Sequence, residues 1–309
     1  MSGALPFPPA GAGLPRLLSI AGSDSSGGAG IQADLKTFAA HGGYGMTAIT
    51  AITAQNTLGV SAVQALPPAL VAAQIDAVFA DPGVDAVKIG MLAETGIIDA
   101  VAACLVAAPA ASASPSSALR ADRRPPRPPV VLDPVMIAKS GNALLDADAV
   151  DHLQRLFPLA TLLTPNLPEA ERLDGASAAS TPAARERLVR RLGERCAAVL
   201  LKGGHAEGGE VVDLLWDGSR VHSFVHPRIA SRSTHGTGCT LSSAIAARLG
   251  RGESLVEAVA GAIDWLHEAI VRAIPIGAGT GPVDPFWMQR RPDAGVAAGA
   301  TVRRGGCLA

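Results

Sequence analysis

The chain has 309 residues, 48% of them hydrophobic and 17% charged, with a formal net charge of -1. That length buries one or two sizeable cores without disulfide or metal staples, and the charge balance excludes nucleic acid as the main partner, because phosphate-tracking proteins carry clustered Lys and Arg on a basic surface. The mean hydropathy of +0.29 comes from small residues, and no window holds the roughly 18 large apolar residues of a spanning helix, so no membrane partner is expected.

Residues 1–16 read as a disordered leader, lacking the early positive charge and continuous apolar run of a signal peptide. From Leu17 onward, short apolar runs alternate with helical patterns, the signature of a mostly parallel sheet covered by helices. Strands are predicted at 17–21 and 47–54, with a helix at 31–40 between them. A helix at 69–79, a strand at 85–90 and a helix at 95–106 follow. Residues 107–129 are rich in Pro, Ser and Arg (Arg120, Arg123, Arg124 and Arg127) and poor in large apolar groups, so a low-complexity surface insertion is expected there. Beyond it come a strand at 130–132, a helix at 147–156, strands at 161–164 and 198–202 separated by a helix at 182–194, and a hairpin at 211–216 and 220–226. Helices at 239–249 and 255–274 precede a flexible tail at 291–309. The set suits one three-layer α/β/α domain spanning 17–290, with no internal repeat.

The four cysteines, Cys104, Cys196, Cys239 and Cys307, are far apart and form no C-x-x-C pair, which suits a reducing cytoplasm. Of 26 basic residues only Lys36, Lys88, Lys139 and Lys202 are lysine. A position that keeps Lys against that bias is expected to need a compact, flexible ammonium rather than a planar fork.

Four groups of residues carry candidate chemistry. The run AGSDSSGGAGIQADLKT, 21–37, leaves a strand, turns through glycines and enters a helix, so its backbone can approach a ligand closely; an ordinary tight connection accounts for such a turn equally well. It is neither a Walker A loop nor G-x-G-x-x-G. In STHGTGCTLSSAIAA, 233–247, Gly236, Thr237 and Gly238 precede a helix whose free amides suit a transferring phosphoryl group. Cys239 falls in its first turn, where a thiol is either lowered in pKa and partly ionised or simply a small buried residue; beside the other motifs the first is preferred.

Asp133, the Asn166 and Glu169 pair, and Lys202 each follow an apolar strand, and therefore sit on the carboxyl edge where open α/β sheets bind ligands. Carboxylates with a nearby Asn suit a hydrated Mg²⁺, and Lys suits phosphate, although Asn166 and Glu169 also read as a helix capping box. Gln55, at the end of ITAITAQNT, carries an amide that matches the donor–acceptor edge of an aminopyrimidine or pyridine, or else caps a strand. His205 and Glu207 lack the P-C-x-x-C of a zinc deaminase, and His267 and Glu268 lack the second His of H-E-x-x-H.

Together AGSDSSGGAGIQADLKTFAAHGGYG, ITAITAQNT, VKIGMLAE, VVLDPVMIAKSG, LLTPNLPEAE, VLLKGGH, STHGTGCTLSSAIAA and GPVDPF run from about Leu17 to Trp287. In this order they resemble the hydroxymethylpyrimidine and phosphomethylpyrimidine kinases of thiamine biosynthesis, in the ribokinase-like superfamily. The resemblance implies a three-layer α/β/α fold, a homodimer, and two successive ATP- and Mg²⁺-dependent phosphorylations of 4-amino-5-hydroxymethyl-2-methylpyrimidine, a small-molecule substrate. It places Gln55 on the pyrimidine, with Gly22, Asp34 and Met91 lining the same pocket. Gly236, Thr237, Gly238 and Cys239 correspond to the anion hole, Lys202 to a phosphate contact, Asn166 and Glu169 to the group organising Mg²⁺ and phosphate, and Asp133 to a metal-water or phosphate-side residue. Related sugar kinases carry Asp where this chain has Cys239, so a base role for the thiol is plausible for the alcohol step and not required when the attacking group is already a phosphate. The alternatives are a pyridoxal or pyridoxine kinase of the same superfamily and a non-catalytic pyrimidine-binding protein.

Overall fold

The computed structural model describes residues 13–108, 127–136, 149–175, 179–206 and 208–290. Most of the expected leader and insertion, all of the expected tail, and Lys139, Glu207 and Cys307 lie outside the described residues.

The elements are β1 (Arg16–Ala21), α1 (Gly30–Ala40), β2 (Tyr44–Ile49), β3 (Ala51–Asn56), β4 (Gly59–Ala65), α2 (Pro68–Ala80), β5 (Ala86–Ile89), α3 (Thr95–Ala107), β6 (Val130–Leu132), α4 (Ala149–Leu153), β7 (Leu162–Leu163), α5 (Leu167–Asp174), α6 (Pro182–Gly193), β8 (Val199–Leu201), β9 (Glu210–Trp216), β10 (Val221–Pro227), α7 (Thr237–Gly250) and α8 (Leu255–Val271). Eight strands form one sheet in the order β10-β9-β8-β7-β6-β5-β1-β2. From β2 to β8 every pairing is parallel, and the antiparallel β9–β10 hairpin closes one edge.

Parallel strands covered on both faces must be apolar on both, and their alternation divides the core in two. Leu18, Ile20, Val87, Ile89, Leu132, Leu163, Val199 and Leu201 pack with residues of α2 to α6 on one face. Leu17, Ala86, Val131, Leu162, Ala198 and Leu200 meet Phe38 of α1 and the apolar sides of α7 and α8 on the other. This is the expected three-layer α/β/α arrangement. Helix ends follow the local sequence: Asn166 with Glu169, and Ser254 with Glu257, form capping boxes, Gly175 ends α5 in the left-handed region, and Thr181 caps α6.

One expected strand is two. The alternation at 47–54 breaks at Thr50, whose N–H donates to Ala21 O and whose hydroxyl donates to Met91 O. Before it, β2 belongs to the main sheet; after it, β3 leaves and pairs only with β4, which the sequence reading did not contain. Similarly, the expected helix at 147–156 is the short α4 followed by a 3-10 segment, Gln154–Leu159, because Pro158 cannot continue a helical hydrogen-bond ladder.

Candidate active site

The period-2 alternation also decides where polar strand residues go. In β1, β5, β6 and β8 the face toward α1 and α7 takes Ser19, Lys88 and, one step past the strand ends, Asp133 and Lys202. Four polar groups are thus aimed under a single helix, α7, near the carboxyl edge of the sheet.

At the phosphate end, Lys202 Nζ lies 2.7 Å from Asp133 Oδ1, and the Thr164 hydroxyl donates to the same oxygen at 3.2 Å. Residues 166 and 202 are held side by side by a parallel bridge between the strand ends. The Glu169 carboxylate accepts from Asn166 N–H at 2.8 Å and the Asn166 side chain accepts from Glu169 N–H at 2.9 Å. Burial pushes Glu169 up, the Asp133 charge adds to it and Lys202 opposes, leaving the carboxyl at about 7. Burial pulls the Lys202 ammonium down, but Asp133 and Glu169 outweigh it and hold it above its ordinary value. Gly238, in the first turn of α7, packs directly on this pair: a Cβ there would lie 3.3 Å from Lys202 Nζ and 3.4 Å from Asp133 Oδ2.

Gly236 sits at φ 73°, the left-handed region, and a side chain on it would run into the carbonyl of Gly28. That close approach locks the loop entering α7 onto the glycine turn entering α1. Asp24 organises the turn: one carboxylate oxygen accepts from Ser26 N–H and Oγ–H, the other from Gly28 and Ala29 N–H. Lys36 ties it from within α1 by donating to Gly27 O at 2.7 Å. Cys239 therefore lies where two helix N-termini converge, with Gly30 N–H directed at its sulfur. Burial nevertheless pushes the thiol up to about 11, against Lys88 and that N–H. The expected lowered, partly ionised thiol is corrected on this point: desolvation outweighs the helix ends, and the resting group is a neutral thiol.

At the other end, Gly22 is in contact with Met91, whose sulfur would sit 3.1 Å from a Cβ at residue 22. Gln55 stands on β3, beside a bulge in its pairing with β4, with its amide nitrogen 3.2 Å from His235 Nε2. Asp34 is placed differently from the other expected pocket residues: it is fully buried beneath the site. Its carboxylate accepts from Lys88 Nζ at 2.8 and 2.9 Å, from Ser19 at 2.6 Å and from Ser243 at 2.7 Å. The β1–β5 register, Ser19 opposite Lys88, assembles that cluster. Sequence reasoning missed Lys88 as the cluster's cation, and also Asp24 and His235, which meet at 2.9 Å. Asp24 carried a local signal, an Asx turn two residues from Ser26; its contact with His235, 211 residues away, carried none.

Backbone amides at a helix start beside a lysine suit phosphate oxygens, and the two carboxylates across the sheet edge suit a cation accompanying them. Solved structures similar to this chain include small-molecule kinases with the ribokinase-like fold. A pyridoxal kinase of Bacillus subtilis, solved as an ADP complex, is 32% identical with a TM-score of 0.77 and covers 90% of this chain and 99% of its own. A phosphomethylpyrimidine kinase of Clostridium difficile is 41% identical with a TM-score of 0.69, over 83% and 99%. The family model described as phosphomethylpyrimidine kinase matches residues 24–284. The hydroxymethylpyrimidine/phosphomethylpyrimidine kinase of Rhizobium meliloti is 50% identical over 87% of this chain and 96% of its own length. The thiamine biosynthesis bifunctional protein ThiED of Geobacter sulfurreducens is 52% identical over 87% of this chain, which spans about half, 51%, of that longer protein. The chain belongs to the phosphomethylpyrimidine kinase family.

Proposed function

We propose that the protein transfers the γ-phosphoryl group of ATP to the hydroxymethyl oxygen of 4-amino-5-hydroxymethyl-2-methylpyrimidine, and then a second one to the resulting phosphate, for thiamine biosynthesis. The observation that carries this reading is the packing of Gly238 on the Lys202–Asp133 pair at the start of α7, joined through the Gly236–Gly28 contact to the side of the site that holds Gln55, Met91 and Gly22. In this reading Gln55 hydrogen-bonds the pyrimidine edge, Gly22 and Met91 shape the ring pocket, and Asp34 acts from below by fixing Lys88. The amides of Gly236, Thr237, Gly238 and Cys239 take the charge that develops on the transferring group, and Lys202 contacts phosphate oxygen. The leaving group is ADP, and the alcohol proton departs in the first step only.

Asp133 and Glu169 fit a Mg²⁺ ion as outer ligands acting partly through water. They feel each other's charge, and no cluster of three or more metal-ligating side chains exists among the described residues. That donor set suits an ion shared with substrate phosphates rather than caged by protein. Such an ion would supply charge neutralisation between phosphate oxygens, while Asn166 holds the Glu169 carboxylate in place.

Product analysis with the pyrimidine alcohol and Mg-ATP tests the proposal: both mono- and diphosphate are expected. The second reading, a pyridoxal kinase, draws on the 32%-identical pyridoxal kinase; turnover of pyridoxal alone would replace the first reading with it. Binding of the pyrimidine without ATP consumption would favour the silent binding protein.

We further propose that residues 17–290 act as one kinase domain, in a cytoplasmic homodimer. The continuous eight-stranded sheet supports the first. The free thiols of Cys104, Cys196 and Cys239 suit a reducing compartment, and no described helix is long and apolar enough to cross a membrane. Exposed Ile52, Leu58 and Val63 on the β3–β4 hairpin suit a subunit contact, which sedimentation of the protein would test.

A further inference from the structure

His235 and Asp24 form a buried pair that the transfer chemistry above does not use, and its outer edge touches Gln55. Asp24 is 1% exposed. Burial pushes its carboxyl up, but hydrogen bonds from His235, Ser26 and Ala29 overcome this and hold it down at about 2. A carboxylate only accepts, so His235 Nε2, 2.9 Å from Asp24 Oδ2, carries a hydrogen. The Gln55 amide nitrogen lies 3.2 Å from that same Nε2. Two donors cannot share the contact.

The other end of the amide gives the same result independently. Gln55 Oε1 lies 3.4 Å from Thr53 Oγ1, and the single hydroxyl hydrogen of Thr53 is already given to Ser23 O at 2.8 Å. Thr53 therefore has only lone pairs left for Gln55, and lone pairs call for an N–H. The conflict at both ends is relieved when the amide turns over, with its carbonyl facing the Nε2 hydrogen that His235 shares with Asp24 and its NH₂ toward Thr53. The two terminal atoms of an amide are told apart by such partners.

We infer that His235, oriented by Asp24, is a positioning residue that sets the polarity of the Gln55 amide and thereby makes the site read one edge of its substrate: an exocyclic amino group next to an unprotonated ring nitrogen. The carbonyl on the His235 side accepts from the amino group, and the NH₂ on the Thr53 side donates to the ring nitrogen. A 4-oxo ring, with an acceptor and a ring N–H in those places, meets like against like at both atoms. This inference deepens the reading of Gln55 as the pyrimidine contact and rests on it. The dyad also has little freedom to reorient: a side chain at Gly28 would collide with the His235 ring, and His235 N–H donates to Gly281 O at 2.8 Å.

The test measures dissociation constants, without nucleotide, for 4-amino-5-hydroxymethyl-2-methylpyrimidine and its 4-oxo analogue. Wild-type protein is expected to favour the amino edge by about tenfold or more, the scale of one mispaired buried group. His235→Ala frees the amide to turn and should bring the two constants within about threefold, while His235→Gln, which restores a donor, should recover the preference. Uniform weakening with an unchanged ratio in His235→Ala would show a merely structural residue and overturn the inference. Because His235 is buried and its truncation can impair folding, a second measurement uses wild-type protein alone. Nuclear Overhauser contacts from the Gln55 side-chain NH₂ should run to the Thr53 methyl group, and contacts to His235 Hε1 in their place would overturn the inference. A wild type that discriminates the edges but transfers no phosphate supports it and sinks the kinase reading. One that phosphorylates both rings with equal affinity does the reverse.

Discussion

At neutral pH the Cys239 thiol keeps its proton, since burial sets it at about 11 despite the converging helix ends. If it serves as base for the alcohol step, the reactive fraction rises about tenfold per pH unit below that value. The expected outcome is a single-turnover rate for the first phosphorylation that climbs between about pH 7 and pH 9 in wild type, and a slower, flat profile in Cys239→Ala. The second phosphorylation, whose nucleophile is already anionic, should show neither the slope nor an equal loss; matching losses in both steps would assign the thiol to packing. Asp24 makes a different pH statement. Its folded value of about 2 lies below the ordinary 3.8 of a free aspartate, so the stability it contributes is present above the unfolded value and is lost as acid takes the pH down through the folded one. The contribution at neutral pH is about 2 kcal/mol. Urea midpoints of wild type and Asp24→Asn should therefore converge between about pH 5 and pH 2; a constant gap would mean that the carboxylate charge is not what matters.

Where elements meet, the buried Lys88–Asp34 pair joins β5 to α1, and Ser19 and Ser243 extend it to β1 and α7. Burial pulls the ammonium down, yet Asp34, by charge and hydrogen bond, with Asp133 behind it, holds it above its ordinary value. Removing one member leaves an unpaired buried charge, so Lys88→Met should cost about 3–5 kcal/mol in urea unfolding, and adding Asp34→Asn should return part of it. Strict additivity would mean that the pair is not coupled. The β3–β4 hairpin is latched differently: Gly279 N–H donates to Thr57 Oγ1 and Thr280 N–H to Thr57 O. A Cβ at Gly279 would strike the Thr57 carbonyl, so Gly279→Ala should lift the hairpin, speed amide exchange across 51–65 and raise the pyrimidine KM about tenfold with the ATP KM little changed. Unchanged exchange would remove the latch from the account. These joints mark where sequence reading stops. The strands were legible because runs such as VVL and VLL are apolar on both faces, and Asp133 and Lys202 because they stand one step past strand ends. The break at Thr50 was not, since no Gly or Pro interrupts ITAITAQN and only contacts to Ala21 and Met91 split it.

Across the whole molecule, the lysine scarcity was an informative compositional feature. Each described lysine ties a loop or a charge at the site: Lys36 to Gly27 O, Lys88 to Asp34 and Lys202 to Asp133. The fold and the phosphate-side residues could be read in order along the chain because each belongs to a local strand-to-helix unit. The joints behind the substrate side could not, because they tie residues some two hundred positions apart: Asp24 to His235, Asp34 to Ser243, and Gly28 to Gly236. A chain ending before residue 233 is accordingly expected to bind no pyrimidine in equilibrium dialysis, although all eight strands of the main sheet precede that point; retained binding would show that α7 is dispensable for the ring pocket. The Gly28–Gly236 contact also sets a timetable. On the ribosome the glycine turn emerges early and its counterpart some two hundred residues later, so the nascent protein spends most of its synthesis with Asp34 and Lys88 uncovered and has no ligand-binding cleft until α7 arrives.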